Sequence, residues 1–399
     1  MADQAVKPDN FLLQQIFQND GQPTSTSILL QDWDKCIFRA DFANGRPSLV
    51  ARIEAQETQS GTFATIAALQ EVARIVIPEL VPPTYKLGTA KNEEGREFQY
   101  SVIGIVTGDT LEEVWEKIGD HDRVSIVAEI ASAVAKLHSV RIGDYAVQEI
   151  FRALLLANDL RDIQQPDTFG GPLTGFLKDG PALLNALLAR RKAKKSFCSI
   201  LPSTVSQASV IKSNYDDLGS VTIKDSEMST WVEEAVFCHN DLTPRNLIIS
   251  SSLDHNGVPK YRLGGIIDWE LSGFYPASYE LSLQDTYLGL GNRHISFYLL
   301  LKEHLTKLVP RTPSQIGLLN AVELIYESQQ RCLLEGFNVP ALIRKRFLER
   351  GELVRNEDRY RGWTSTGGPS VDIDKDAYQN LVNQAIEEIS AKRRAATSK

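Results

Sequence analysis

Apolar positions change their spacing along the chain, and the changes mark out its elements. After a polar lead-in carrying one or two amphipathic turns (Phe11, Leu12, Ile16, Phe17), three short stretches read as strands: Ser27–Leu30, Cys36–Ala40 and Ser48–Ile53. Asn44-Gly45 is the hairpin signal between the last two, so an antiparallel meander is expected. In the third strand, period two puts Leu49, Ala51 and Ile53 on one face and Val50, Arg52 and Glu54 on the other. Phe63–Val76 then takes helical spacing, with Ala64, Ala68, Glu71 and Ile75 on one stripe. Asp109-Thr110-Leu111-Glu112 opens a helix to about Ile118.

Beyond this point helical spacing dominates. A helix over Arg123–His138 sets Val127, Ile130, Val134 and Leu137 on one buried stripe. Helices are also expected over Phe151–Leu160, Pro181–Lys194, Ile295–Leu308, Ile316–Glu335 and Tyr378–Lys392. Gln207–Ser229 is polar without sustained period and reads as a long loop or locally disordered insertion. Arg355–Ser370 is polar and glycine-rich around Trp363.

One stretch breaks from both periods. In Phe237-Cys238-His239-Asn240-Asp241-Leu242-Thr243-Pro244-Arg245-Asn246, an Asp and an Asn five positions apart sit in a turn held by Pro244, ahead of the apolar run Leu247–Ile249. An Asn-Gly turn at Asn256-Gly257 and a second strand, Tyr261–Ile267, then deliver Asp268. Phosphoryl transfer asks for a carboxylate to orient the attacking hydroxyl and hard oxygen ligands to hold magnesium against the phosphates. Asp241 suits the first task, Asn246 and Asp268 the second. Each of the three could alone be a turn or cap residue; the set at this spacing is what points to chemistry. His239 is expected to shape the loop by hydrogen bonding to backbone, and His138 to be a satisfied core residue.

Composition narrows the setting. The chain has 399 residues, 42% of them hydrophobic and 24% charged, with a formal net charge of −8. Those shares predict a substantial core, and the acidic balance argues against nucleic acid or an anionic membrane as partner. Cys36, Cys198, Cys238 and Cys332 have no metal-ligand spacing and read as reduced, buried thiols. No apolar run approaches the ~20 residues of a membrane span, and the N-terminus lacks a basic-then-apolar leader, so a cytoplasmic protein is expected.

The sequence His239-Asn240-Asp241-Leu242 with Asn246, followed by Ile267-Asp268-Trp269-Glu270, resembles the aminoglycoside phosphotransferase and choline kinase superfamily. His-Asn-Asp is the choline kinase spelling, whereas Asp-Trp-Glu with Gly273-Phe274-Tyr275-Pro276 is similar to fungal phosphotransferase-family proteins. The resemblance implies an α+β, two-lobed protein-kinase-like fold. Its nucleotide-binding lobe would span residues 1–106 and its catalytic and acceptor-binding lobe 107–399, with an insertion at about 143–234. It implies ATP and magnesium as cofactors and a small-molecule alcohol as acceptor, such as an amino alcohol, an aminoglycoside-like compound or a secondary metabolite.

Carried onto this sequence, the resemblance puts Arg52 where the family's phosphate-pairing lysine sits, oriented by an ion pair to Glu71, and adenine against the backbone between Val102 and Ile105; the alternatives are a strand arginine paired to Glu54 or to solvent, and a plain surface glutamate at Glu71. The chain departs from the family at Gln31-Asp32-Trp33-Asp34-Lys35, where a phosphate-covering turn commonly carries glycines and this one has none. That departure favours a catalytically weak nucleotide-binding or scaffold protein; the complete Asp241, Asn246 and Asp268 set favours the enzyme. A protein kinase is disfavoured, because Thr243 stands where its lysine belongs and no activation-segment motif follows Asp268. Trp269, Phe274, Tyr275 and Tyr279, with Glu270 and Glu280, are candidates for receiving a cationic acceptor, with core packing the alternative for Trp269 and Phe274.

Overall fold

The computed structural model describes the chain except for residues 1–5, 19–20, 33, 44, 56–61, 158–167, 192, 205, 254, 356–361, 367–371 and 398–399. The Asn of the first hairpin signal therefore lies outside the described residues, as does the end of the helix expected to reach residue 160. The chain forms two compact units. The first comprises Met1–Gly108, Gly143–Pro166 and Gly264–Glu270; the second comprises Asp109–Ile142, Asp167–Leu263 and Leu271–Lys399. Two later segments thus join the first 108 residues, a grouping that local sequence pattern does not reveal.

The first unit is built on an antiparallel sheet of β1 (Ser25–Gln31), β2 (Lys35–Asp41), β3 (Leu49–Ala55), β4 (Thr84–Lys91) and β5 (Glu97–Gly104), in the order β1-β2-β3-β5-β4. The period-two reading of β3 holds: Leu49, Ala51 and Ile53 are buried, while Val50, Arg52 and Glu54 lie on the half-buried face. Helix α1 (Asn10–Ile16) contributes Leu12 and Ile16 to the same core as Phe38, Ala51, Ile53 and Val102. Helix α2 (Thr62–Val76) packs against the helix Tyr145–Ala157.

The face of α2 differs from the expected stripe. Its buried side runs through Ala64, Ala68 and Val72 with Leu69 and Ala73, whereas Ile75 is 53% exposed. Successive steps of four, reinforced at the neighbouring positions, carry the apolar face away from Glu71, which becomes a flank residue.

The second unit is mainly helical, with small sheets of two to four strands beside the helices Asp120–Leu137, Gly180–Arg190, Ile295–His304, Pro313–Glu335 and Lys375–Thr397. Its core includes Leu288, Tyr298, Phe347, Leu381 and Ile389. Beyond Glu270 the helices Ala277–Tyr287 and Val339–Arg350 were not expected from the pattern. The first is buried nearly all round, so it carries no amphipathic period. The second does carry a start signal: the Asn338 side chain accepts from Ala341 N at 3.0 Å, and Pro340 occupies its first turn.

The stretch Gln207–Ser229 is ordered, contrary to the reading as a loop. Ala208–Ser213 pairs antiparallel with Cys198–Pro202 and with Ser220–Lys224, and the helix Asp225–Glu233 follows. Strands of five and six residues joined by a turn with Gly219 at φ +70° are too short for a sustained period, so their alternation is diluted in any longer window. The helix expected to run to Ile118 is one α-turn, Leu111–Val114, continued as a 3-10 turn, Trp115–Lys117. No side chain caps its start.

Candidate active site

The strand Ala235–Cys238, buried at every residue, pairs antiparallel with Gly273–Pro276 and delivers the polar loop at His239. That loop is held from several sides within the second unit. The backbone N–H groups of His239 and Asn240 both donate to Glu280 Oε1, at 3.0 and 2.9 Å. Glu280 is fully buried, and its other oxygen lies 2.8 Å from His138 Nε2. Asn240 takes the left-handed conformation at φ +67° and donates through Nδ2 to Leu271 O at 3.0 Å. Asn tolerates that region better than most residues, and the bonds around it hold it there. The His239 ring accepts from Asp241 N at 3.1 Å, the loop-shaping task expected of it. His138 is satisfied by Glu280, as expected of a core histidine.

This scaffold fixes the two candidate residues of the loop. Pro244–Asn246 forms a 3-10 turn with Pro244 at its first position. Asn246 Nδ2 donates to Asp241 O at 2.9 Å, which orients the amide and turns its oxygen the other way. Asp241 is 3% exposed; Arg245 Nη2 donates to its Oδ2 at 3.2 Å, and its Oδ1 is buried without a hydrogen bond among the described residues. The hydroxyl of Thr243, two residues on, is likewise buried and unbonded. Burial pushes the Tyr287 phenol pKa up, and the charge of Asp241 adds to the effect.

Burial should also raise the Glu280 pKa. The His138 ring and the backbone N–H of Asn240 outweigh that effect and hold it below the ordinary carboxylate value. Glu280 is therefore an anchor for the loop, not a carboxylate available to a cationic acceptor. Tyr275 and Tyr279 are stacked with ring centroids 4.7 Å apart and are buried, as are Trp269 and Phe274, so these aromatics pack the interior.

The other site residues belong to the first unit. Asp268 follows the strand Pro259–Ile266 and sits at φ +66°, again the left-handed region. The strand end is pinned by Ile266 N donating to Leu80 O at 2.7 Å. A side chain at Gly265 would put its Cβ 2.6 Å from Val106 Cγ1, so only glycine permits this approach. Trp269 is buried and donates through Nε1 to Ile266 O at 3.2 Å, fixing the turn that carries Asp268 and Glu270.

Arg52 does not pair with Glu71. Its Nε and Nη2 donate to Glu54 Oε2 at 3.1 and 2.7 Å, and its Nη1 lies 2.7 Å from Glu270 Oε2. Burial opposes the guanidinium charge, yet Glu270 and then Glu54 hold its pKa above the ordinary value. Glu71 is engaged instead by Arg74 one turn along, through two bonds of 2.7 Å. Two residues three apart on one helix face meet more readily than a flank residue and a strand, which is the physical reason for the difference. Glu71→Ala is accordingly expected to cost less than about 0.5 kcal/mol, read by thermal melting. A loss of several times that would give Glu71 a structural role the exposed pair does not explain.

Val102 lies within the sheet, opposite Ala51 on one side and Lys86 on the other, and is 1% exposed. Ile105 follows the last residue of β5, where backbone groups leave the ladder. The glycine-free turn after β1 is closed by Asp32 N donating to Lys35 O at 2.8 Å, with Trp33 outside the described residues. All four cysteines are buried and unbridged, as expected.

Asn246 and Asp268 offer the amide and carboxylate oxygens that magnesium takes, and the anchored Nδ2 of Asn246 fits a metal-facing Oδ1. Among the described residues, His138, Cys238 and Glu280 also lie close together, but Glu280 already serves His138 and the loop backbone.

The model of the phosphotransferase enzyme family matches residues 38–284, a span that begins in β2 and ends within the helix Ala277–Tyr287. The chain belongs to that family. The match takes in Arg52, Asp241, Asn246, Asp268, Glu270 and Glu280 of this phosphotransferase-family chain. A sequence search of curated proteins gives no match.

Similar solved structures include a thermostable mutant of aminoglycoside phosphotransferase APH(4)-Ia in ternary complex with AMP-PNP and hygromycin B, at 12% identity and TM-score 0.44, covering 85% of this chain and 98% of that one. A GDP and kanamycin complex of APH(2")-IIia has 15% identity and TM-score 0.39 over 96% and 97% of the two chains. The ADP-bound aminoglycoside phosphotransferase APH(2'')-Ib has 13% identity and TM-score 0.40 over 95% and 97%. No described helix of the phosphotransferase-family chain is long and apolar enough to cross a membrane.

Proposed function

We propose that this phosphotransferase uses ATP and magnesium to phosphorylate a hydroxyl of a small molecule. The observation that carries the reading is Asp241: a buried carboxylate whose Oδ1 has no hydrogen bond among the described residues, on a loop held by Glu280, His239 and Leu271. Leaving a carboxylate oxygen in that state is costly, and such cost is characteristic of groups kept for a substrate. An acceptor hydroxyl donating to Oδ1 would satisfy it, and in that position Asp241 orients the nucleophile and takes its proton.

Asn246 and Asp268 would hold magnesium, which supplies charge neutralisation at the phosphates. Arg52 and Lys35 supply cations from the sheet of the first unit, and the backbone at Ile105 is the candidate for adenine. The buried aromatics and the engaged Glu270 and Glu280 weaken the case for a cationic acceptor received by that cluster. The alcohol is otherwise unrestricted by what these side chains offer.

A screen of candidate alcohols for ATP-dependent gain of one phosphoryl group by mass spectrometry tests the activity, and Asp268→Asn tests the metal assignment. Asn adopts the left-handed region as readily as Asp, so the variant keeps the backbone at φ +66° and should melt as the parent does. Magnesium-dependent turnover should fall by about a thousandfold or more, because an amide replaces a charged hard ligand. Turnover unchanged at saturating magnesium rejects Asp268 as a ligand. A parent that binds nucleotide yet phosphorylates nothing favours the catalytically weak reading suggested by the glycine-free turn.

A further inference from the structure

The cations of β2 and β3 converge on a carboxylate that does not come from α2. Glu270 Oε2 lies 2.7 Å from Arg52 Nη1 and 3.6 Å from Lys35 Nζ, so one oxygen bridges both. All three side chains are largely enclosed, at 29%, 18% and 20% exposure respectively. The Arg52 guanidinium is fixed on its other sides as well: Glu54 takes Nε and Nη2, and the group lies 5.2 Å from the ring centroid of Phe63 at the start of α2. Three of its five N–H donors are used in these bonds, leaving one on each terminal nitrogen for an incoming anion. Glu270 itself has little freedom, because the neighbouring Trp269 is buried and bonded to Ile266 O.

We propose that Glu270 is the positioning residue for the phosphate-binding cations, holding Arg52 and Lys35 ready for the phosphates of a nucleoside triphosphate and tying both to the backbone turn that carries Asp268. In this arrangement the carboxylate that orients the strand cation is two residues from the metal ligand, and α2 has no part in the pairing. A displacement of the turn at Asp268 would move the phosphate cations with it. The inference rests on the phosphotransferase reading above.

Steady-state kinetics and calorimetry with MgATP, on the full chain, decide it. Glu270→Gln removes the charge and keeps the shape; it should raise KM for ATP about tenfold with kcat within about threefold of the parent, the pattern of lost uniform binding. Glu270→Asp retains the charge and should recover part of the loss. In an Arg52→Ala background, Glu270→Gln should change KM by less than about twofold, because the group it positions is gone. The melting temperature of Glu270→Gln, read beside the kinetics, should stay near the parent's; a KM effect that persists undiminished in the Arg52→Ala background is structural and overturns the proposal.

An unchanged KM also overturns it. So does a lower KM, which would mean that the carboxylate competes with the phosphates for Arg52. A parent that binds no MgATP in the calorimeter overturns the phosphotransferase reading and this proposal with it. A parent that binds MgATP, with Glu270→Gln binding equally well, overturns this proposal alone.

Discussion

Asp241→Asn is expected to lower kcat by about a hundredfold to ten-thousandfold, the range for an orienting and proton-accepting group, while MgATP affinity read by calorimetry moves by less than about twofold. The two effects separate because the groups assigned to the phosphates are others: Arg52, Lys35, Asn246 and Asp268. Asn preserves the shape at the buried position and can still accept from Arg245, whose side chain is half exposed. Losing that ion pair therefore costs no more than about 1 kcal/mol. The bond from Asn246 Nδ2 goes to the Asp241 backbone carbonyl and survives the substitution. A variant that turns over at the parental rate removes Asp241 from the chemistry, and one that melts far below the parent makes it a turn residue.

Glu280 should produce the largest effect on stability. Its carboxylate accepts from two consecutive backbone N–H groups and faces His138, all in a fully buried setting. Glu280→Gln leaves one oxygen for the backbone but turns an N–H toward the imidazole, and is expected to cost about 2–4 kcal/mol. Because the carboxyl pKa is held below its ordinary value in the fold, the associated stability is fully present above the unfolded value of about 4.3 and is lost as pH falls through the folded value. Chemical denaturation of parent and variant across that acid range should show the parent's stability falling more steeply. Parallel curves would mean that Glu280 is neutral in the native protein. Turnover should drop in the variant as well, since the charge-assisted bonds that anchor the loop bearing Asp241 are weakened, and a loss of stability with unaltered kcat would show that the loop is held adequately by its remaining bonds.

How far the sequence discloses this arrangement depends on whether the cause is local. The sheet of the first unit was legible because β3 alternates residue by residue, and the loop of Asp241 and Asn246 because spacing, Pro244 and the following strand all act within a dozen residues. Helix Ala277–Tyr287 was not legible, since burial on every side erases the period that would announce it. The partner of Arg52 was misread for a related reason. The stripe through Glu71 rests on two of the buried alanines but ends on an exposed Ile75, while of the two carboxylates that meet Arg52, Glu54 is a strand neighbour and Glu270 lies more than two hundred residues away in sequence. Glu280 was visible as a carboxylate among aromatics, but its partners are backbone N–H groups, which no sequence pattern distinguishes.

The discontinuity of the first unit bears on how the protein is made. A ribosome releases residues 1–108 early, yet the helix that covers α2 and the turn that neutralises Arg52 are encoded later, the latter at Gly264–Glu270. At usual elongation speeds the interval from Gly108 to Gly264 lasts roughly ten to thirty seconds. Through that interval the nascent sheet carries Arg52 with Glu54 as its only carboxylate from this set, whereas the helix Tyr145–Ala157 that packs on α2 is made early in it. The face of the first unit that carries Arg52 therefore becomes complete only after about half of the second unit has been synthesised.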